Sequence, residues 1–177
     1  MGKIAFVFSG QGDQFSGMGR ELLDSSVAAK KAFELCESLR EGTIRQCFEG
    51  TAEELKETKN TQPCLFAMEL AACEALKAKG ISPEGVAGFS LGEVVAATVS
   101  GAFSKEDGFK LVCKRGELMG AEADKFDTSM VAVVKLTNEQ VEQCAAMVKK
   151  EQPAAEIVKE IMEEAEPILR GAEKWVN

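Results

Sequence analysis

The residues best suited to chemistry in this chain are a lone serine between two glycines, Gly88-Phe89-Ser90-Leu91-Gly92, and a glycine-rich run from Ser9 to Gly19. A G-x-S-x-G pattern set between a strand and a helix is a nucleophile elbow. Its tight turn needs glycines so that backbones can approach. It leaves the hydroxyl at a helix N-terminus, where free N–H groups and the helix dipole favour a developing negative charge. A serine N-cap on a glycine-rich turn is the plainer alternative for Ser90. The glycine-rich run has no G-K-[ST], and Gly10, Gly12, Gly17 and Gly19 do not fit G-x-G-x-x-G, which argues against a nucleotide loop. What does fit is a turn whose backbone N–H at Gln11 points into the space above a sheet to meet that of Leu91. Two such donors would make an oxyanion hole.

The elements that must position these residues follow from the apolar pattern. Residues 3–8, KIAFVF, read as a buried strand running into the glycine-rich turn, and GVAGF as a second strand ahead of Ser90. Between them, residues 20–40 are expected to form a helix and 52–57 a short one, capped by Thr51 in a T-x-x-E box with Glu54. Residues 63–79 have only Glu69 and Glu74 as polar members before a lysine-bearing end. They predict a largely buried helix with Pro63 in its first turn and Gly80 as its stop. After the elbow, LGEVVAATVSG has the small residues of a helix packed closely on a sheet, with Glu93 in its first turn to suit the dipole. Ser104 to Asp107 form a capping box, opening a helix with Phe109, Val112, Cys113 and Met119 on one apolar stripe. MVAVVKL, 130–136, is a third strand candidate, and the apolar spacing from Ile157 to Ala172 predicts an amphipathic helix kinked near Pro167. Strands alternating with helices indicate an α/β fold on a parallel sheet.

Composition narrows the function classes. At 177 residues, 45% hydrophobic and 28% charged, the chain has the make-up of one ordinary globular domain. A net charge of −8 argues against nucleic acid as a partner. No apolar run approaches the roughly 20 residues that span a bilayer, and the first residues lack the pattern of a signal peptide, so the expectation is a cytoplasmic protein without a membrane partner. Six cysteines without C-x-x-C spacing and no histidine argue against zinc, and the cysteines read as small buried apolar residues.

Four motifs in order, FVFSGQGDQFSGMG from residue 6, TQP at 61–63, GFSLGE at 88–93 and KRGELM at 114–119, resemble those of the malonyl-CoA:acyl carrier protein transacylases and the related acyltransferase domains of polyketide synthases. The resemblance covers about residues 3–143. It implies transfer of a malonyl group from CoA to acyl carrier protein through an ester on Ser90, with the N–H groups of Gln11 and Leu91 stabilising the oxyanion. It implies further that Arg115 holds the malonyl carboxylate by a two-point contact, which guanidinium geometry suits, and that Gln62 lies in the substrate site. Without the resemblance, Arg115 would read as a solvated helix residue. No cofactor is implied beyond the CoA thioester as substrate.

The chain also departs from that family. After a strand like VAVVKL, family members complete a small ferredoxin-like subdomain and return to the large one with the histidine that acts as base on the serine. No histidine occurs here, Phe89 stands where the family usually has one beside the nucleophile, and Asp13 where it often has a serine. A serine without an adjacent base is a poor nucleophile, and loss of the base costs on the order of 10⁶ in turnover in a serine protease. The expectation is a truncated α/β-hydrolase-like core, a parallel sheet flanked by helices, with the small ferredoxin-like subdomain mostly absent. Residues 1–130 would form the acyltransferase large-subdomain core, 131–146 a remnant of the small subdomain, and 147–177 an amphipathic helix of divergent origin. That last segment resembles the closing helix of flavin-dependent enoyl-acyl carrier protein reductases.

Three readings stand at this point. The chain is an acyltransferase impaired by its missing base or completed by another chain; or a non-catalytic remnant that binds a carrier protein or partner subunit; or a serine hydrolase with an acid or lysine as base. A narrow sheet with open edges and an apolar face predicts a homo-oligomer. Lys105, Lys110 and Lys114 near Arg115 are candidates to meet an acidic carrier protein or the CoA phosphates.

Overall fold

The computed structural model describes residues 3–123 together with residues 125, 137 and 140. The strand expected at 130–136, the amphipathic helix expected after residue 147 and the divisions at 130 and 146 lie outside the described residues.

The described elements run β1 (Ala5–Phe8), α1 (Arg20–Ser25), α2 (Val27–Leu39), α3 (Thr43–Glu49), α4 (Ala52–Lys56), α5 (Thr58–Ala78), β2 (Gly85–Gly88), α6 (Leu91–Val99) and α7 (Lys105–Ala123). The two strands pair in parallel, with Ala5 opposite Gly85 and Phe8 opposite Gly88, so the whole helical run from α1 to α5 is the crossover between them. Parallel neighbours need such a crossover because a tight turn cannot reverse the chain twice. The fold is therefore helix-rich α/β on a small parallel sheet.

The 20–40 helix is two helices. Ser26 is extended, with φ −134° and ψ 115°, and its hydroxyl accepts from the Ala29 N–H at 3.3 Å, so it ends α1 and caps α2. A serine that captures a backbone donor offers the chain an alternative to continuing the helix. Helix α3 had no expectation attached to it. It begins after Gly42, whose φ of 84° only glycine adopts without strain, and the Glu37 carboxylate accepts from the N–H groups of Gly42 and Ile44 at 2.7 and 2.8 Å. The Thr51 cap is formed as the T-x-x-E box predicts, its hydroxyl accepting from the Glu54 N–H at 3.1 Å.

Helix α5 begins at Thr58, five residues before Pro63, so the proline lies inside the helix and not in its first turn. The start is secured by polar groups that sequence periodicity does not reveal. The Arg40 guanidinium donates to Gln46 Oε1 at 2.6 Å and Asn60 Oδ1 at 2.9 Å, and Gln46 donates to Asn60 Oδ1 at 3.1 Å. The Thr61 hydroxyl donates to the Leu55 carbonyl. Asn60, Thr61 and Gln62 are all buried, a polar stretch held by its hydrogen bonds rather than by apolar packing.

Around α5 lies the core: Phe33 and Cys36 from α2, Cys47 from α3, Leu91 and Val95 from α6, Phe109 and Val112 from α7, and Met18 from the loop after β1. The Phe66 and Phe109 rings meet at 5.7 Å between centroids, tying α5 to α7. Four cysteines, Cys36, Cys47, Cys64 and Cys73, are buried thiols as the composition suggested, and Cys113 is partly so. Burial pushes the Cys36 thiol up to about 12 and the Cys113 thiol up to about 11. Met119 departs from the expected α7 stripe. It is exposed, and Gly116 is the buried residue in its place, set against the first turn of α5.

Candidate active site

Ser90 sits where β2 gives way to α6, with φ 54° and ψ −102°, the only described non-glycine residue with positive φ. That is the strained strand-to-helix turn that the G-x-S-x-G pattern predicts, and strain of this kind costs of the order of 1–3 kcal/mol. The turn closes because its flanking residues have no side chains. A Cβ on Gly88 would lie 2.0 Å from the Gly92 carbonyl carbon, and one on Gly92 would lie 2.4 Å from the Phe8 carbonyl oxygen. Both glycines of G-x-S-x-G are therefore required by backbone approach. Ser90 is at the same time the N-cap residue of α6, so the two sequence readings of it meet at one position. Its N–H donates to the Glu93 carboxylate at 3.1 Å, a structural role for Glu93 beyond the helix dipole.

Arg115, from the third turn of α7, turns inward and is half-buried. Its Nη2 donates to Ser90 Oγ at 3.1 Å and its Nη1 to Gln62 Oε1 at 2.7 Å. Gln62 is fully buried, and its amide nitrogen lies 3.3 Å from Met119 Sδ. Ser90 and Gln62, 25 and 53 positions from Arg115 in sequence, thus converge on one guanidinium of α7, from the strand-to-helix turn and α5. A solvated helix residue, the reading of Arg115 without its context, does not describe it.

The glycine-rich loop after β1 packs against the elbow. A Cβ on Gly10 would lie 2.7 Å from the Phe89 ring and 3.0 Å from the Phe89 carbonyl oxygen, so the backbones meet only because residue 10 is glycine. Phe89 donates its N–H to the Phe8 carbonyl at 3.1 Å. Gln11 anchors the loop to α5 through its side-chain amide, which donates to Thr58 Oγ1 at 3.2 Å. Leu91 is the first residue of α6, so its N–H has no acceptor within the helix.

Glu69 is a residue of this region that the sequence did not mark as functional. It is 6% exposed, and its Oε1 accepts from both the N–H and the hydroxyl of Ser9, at 2.6 and 2.7 Å. Burial raises its carboxyl above the usual range; the Ser9 bonds oppose that and Asp13 adds to it. Its place beside Glu74 in the otherwise apolar run of residues 63–76 was the signal available in the sequence. Of the three lysines near Arg115, Lys105 pairs with Glu74 at 2.6 Å and Lys114 with Glu117 at 3.2 Å. No helix among the described residues is long and apolar enough to cross a membrane.

The described fold is a small parallel sheet with a strained serine at its strand-to-helix turn and an arginine bonded to that serine. Residues 5–157 match the acyl transferase domain, and the chain belongs to that family. It is 42% identical over 152 residues to the malonyl CoA-acyl carrier protein transacylase of Bacillus subtilis (strain 168), covering 85% of this chain and 48% of that one. Among solved structures it is similar to the acyl-carrier-protein-S-malonyltransferase of Bartonella henselae, with a TM-score of 0.72 at 33% identity over 83% of this chain and 48% of the other. It is similar too to a type II polyketide synthase malonyl-transacylase in complex with its acyl-carrier protein, with a TM-score of 0.71 at 29% identity over 83% and 48% of the two chains. The chain spans about half the length of the curated transacylases it matches.

Proposed function

We propose that this chain is the nucleophile-bearing part of an acyl carrier protein S-malonyltransferase of fatty-acid or polyketide synthesis, working in the cytoplasm on malonyl-CoA and acyl carrier protein. The observation that carries the reading is the Arg115 guanidinium bridging Ser90 Oγ and Gln62 Oε1. A guanidinium fixed beside the nucleophile matches a carboxylate by two parallel N–H bonds, and a malonyl thioester carries a carboxylate one methylene away from its reacting carbonyl. The resulting arrangement is a truncated α/β-hydrolase-like core, and the transfer is redox-neutral, so it calls for no cofactor beyond the thioester.

In this mechanism Ser90 Oγ attacks the thioester carbonyl carbon, and the N–H groups of Gln11 and Leu91 stabilise the oxygen that becomes negative. As the tetrahedral intermediate collapses, the carbon–sulfur bond breaks and the CoA thiolate leaves, taking up a proton. The serine's own proton has no imidazole to receive it, because the chain contains no histidine, and passes to water or to a base from outside the chain. Turnover is accordingly slow. The second step reverses the first, with the carrier protein's thiol as acceptor.

The experiment is single-turnover transfer of labelled malonyl from CoA to acyl carrier protein, with and without added imidazole. Slow transfer that rises with the concentration of neutral imidazole is expected. Transfer that is fast without imidazole, or that persists in Ser90→Ala, would overturn the mechanism. A second reading, a non-catalytic chain that keeps the fold to bind a carrier protein or partner subunit, is favoured by the missing histidine alone. It predicts carrier binding with no acyl transfer under either condition. By itself the chain is expected to self-associate, because Ala5, Val7, Gly85 and Ala87 on its small sheet are exposed, and light scattering would read a mass above that of one chain.

A further inference from the structure

Two polar side chains of α5, Gln62 and Glu69, are buried, and both bond away from the helix to groups around the elbow. They are seven residues apart, so two turns of helix set them on one side of α5, about 20° apart around its axis and about 10 Å along it. Gln62 holds the Arg115 guanidinium. Glu69 holds Ser9, whose N–H and hydroxyl both donate to its Oε1.

Ser9 is the first residue after β1, and its placement is passed directly to the elbow. A Cβ on Gly92 would lie 2.5 Å from the Ser9 carbonyl oxygen, so the Ser9 peptide lies against the first turn of α6. Gly10 meets the Phe89 ring and carbonyl just as closely, and Gln11 follows, tied at its side chain to Thr58 of α5. Residues 9–11 thus lie between α5 and the elbow, and Glu69 is the α5 group that holds their backbone. It does so at a cost. Its Oε2 is buried and has no partner among the described residues, and a buried carboxylate oxygen without a donor is unfavourable. An apolar side chain here would avoid that cost but would leave the Ser9 N–H and hydroxyl without their acceptor. Local conflicts of this kind concentrate at functional sites.

We infer that Glu69 is a positioning residue for acyl transfer: by holding Ser9 it fixes the Gln11 N–H relative to Ser90 Oγ, as Gln62 fixes Arg115. One side of α5 then sets both the oxyanion side and the carboxylate side of the site. The inference rests on the proposed function. Glu69 acts through the loop and not by contact with the thioester. Loosening the loop leaves the Arg115–Gln62 bond in place, so the loss falls on the transition state and spares substrate binding.

The experiment compares wild type, Glu69→Ala, Glu69→Gln and Ser9→Ala in the full chain. Three quantities are read: the single-turnover rate of Ser90 malonylation, the affinity for malonyl-CoA by isothermal titration, and hydrogen exchange at the Gln11 amide. Both Ser9 bonds go to one oxygen, so glutamine, which keeps a carbonyl, preserves them and alanine removes them. Glu69→Ala should be malonylated about ten- to a hundredfold more slowly, as expected for a small misplacement near the reacting atoms, with its affinity unchanged. Glu69→Gln should regain most of the rate and Ser9→Ala, which keeps the N–H, should fall between. Exchange at Gln11 should be faster in Glu69→Ala than in wild type or Glu69→Gln. A Glu69→Ala chain that is malonylated at the wild-type rate, that loses affinity instead of rate, or that is no slower than Glu69→Gln would overturn the inference. Should Glu69→Ala fail to fold, Ser9→Ala decides: a slower rate at unchanged affinity supports the inference, and the wild-type rate overturns it. A wild-type chain that takes up no malonyl would overturn the proposed function instead, and exchange at Gln11 would then decide the positioning, equal exchange in all four chains counting against it.

Discussion

Replacing Arg115 by alanine separates carboxylate recognition from scaffolding. In the free protein the change removes two hydrogen bonds, at 2.7 Å to Gln62 Oε1 and 3.1 Å to Ser90 Oγ. Ser90 regains water, but the Gln62 carbonyl is fully buried and keeps no replacement, so folding stability should fall by about 1–3 kcal/mol, the cost of an unsatisfied buried acceptor. On the proposed function the change also removes a charge-assisted pair to the malonyl carboxylate. A hydrogen bond to a charged group is worth about 1.5–3 kcal/mol, so the affinity for malonyl-CoA should drop by about ten- to a hundredfold. Acetyl-CoA has no carboxylate and loses none of this. The assay is isothermal titration of both thioesters against wild type, Arg115→Ala and Gln62→Ala, with urea unfolding of each as the stability control. The reasoning is refuted if Arg115→Ala weakens malonyl-CoA and acetyl-CoA alike, because the arginine would then hold the elbow and nothing more.

Other expectations follow from the same geometry. Ser90→Gly should be about 1 kcal/mol more stable than Ser90→Ala in urea unfolding, since only glycine relieves a φ of 54°; equal stabilities would mean the turn stores no strain. Gly92→Ala forces a Cβ to within 2.4 Å of the Phe8 carbonyl and should cost about 3 kcal/mol or more, lowering the urea midpoint and the soluble yield, whereas Gly120→Ala, in open space, should be neutral or slightly stabilising. Glu69 has its carboxyl raised above 4.5 by burial. The native state therefore binds that proton more tightly than the unfolded chain, and its contribution is complete below the ordinary carboxylate value and lost as pH rises through the raised one. Stability measured from about pH 4 to 7 should fall more steeply with pH in wild type than in Glu69→Gln, and parallel profiles would contradict the assignment.

Legibility of the sequence varied with the kind of force at each place. The two strands and the elbow were readable because short apolar runs bounded by glycine have few alternatives, and the Gly88 and Gly92 contacts show why glycine stands there. The Thr51 and Ser104 caps were readable because a cap is a local bond between residues three apart; Ser104 Oγ accepts from the Asp107 N–H at 3.0 Å. The break at Ser26, the helix at Thr43–Glu49 and the early start of α5 were not. The last two depend on a side chain reaching beyond its own turn, Glu37 to Ile44 and Arg40 to Asn60, whereas Ser26 caps Ala29 as locally as Thr51 caps Glu54 but without the acid three residues on that marks a capping box. Arg115 and Gln62 became candidates only through resemblance, because 53 residues separate them and no periodicity relates them. Met119 was misplaced because helical spacing identifies a face without saying how far a partner surface extends along it.

The central claim is that Ser90 is a nucleophile poised for a malonyl group. Intact mass of the purified chain after brief incubation with malonyl-CoA, beside a Ser90→Ala control and followed by peptide mapping, tests it most directly. A single malonyl adduct on the peptide containing Ser90, absent from the control, is predicted. An unmodified chain, or an adduct that survives in Ser90→Ala, would contradict it.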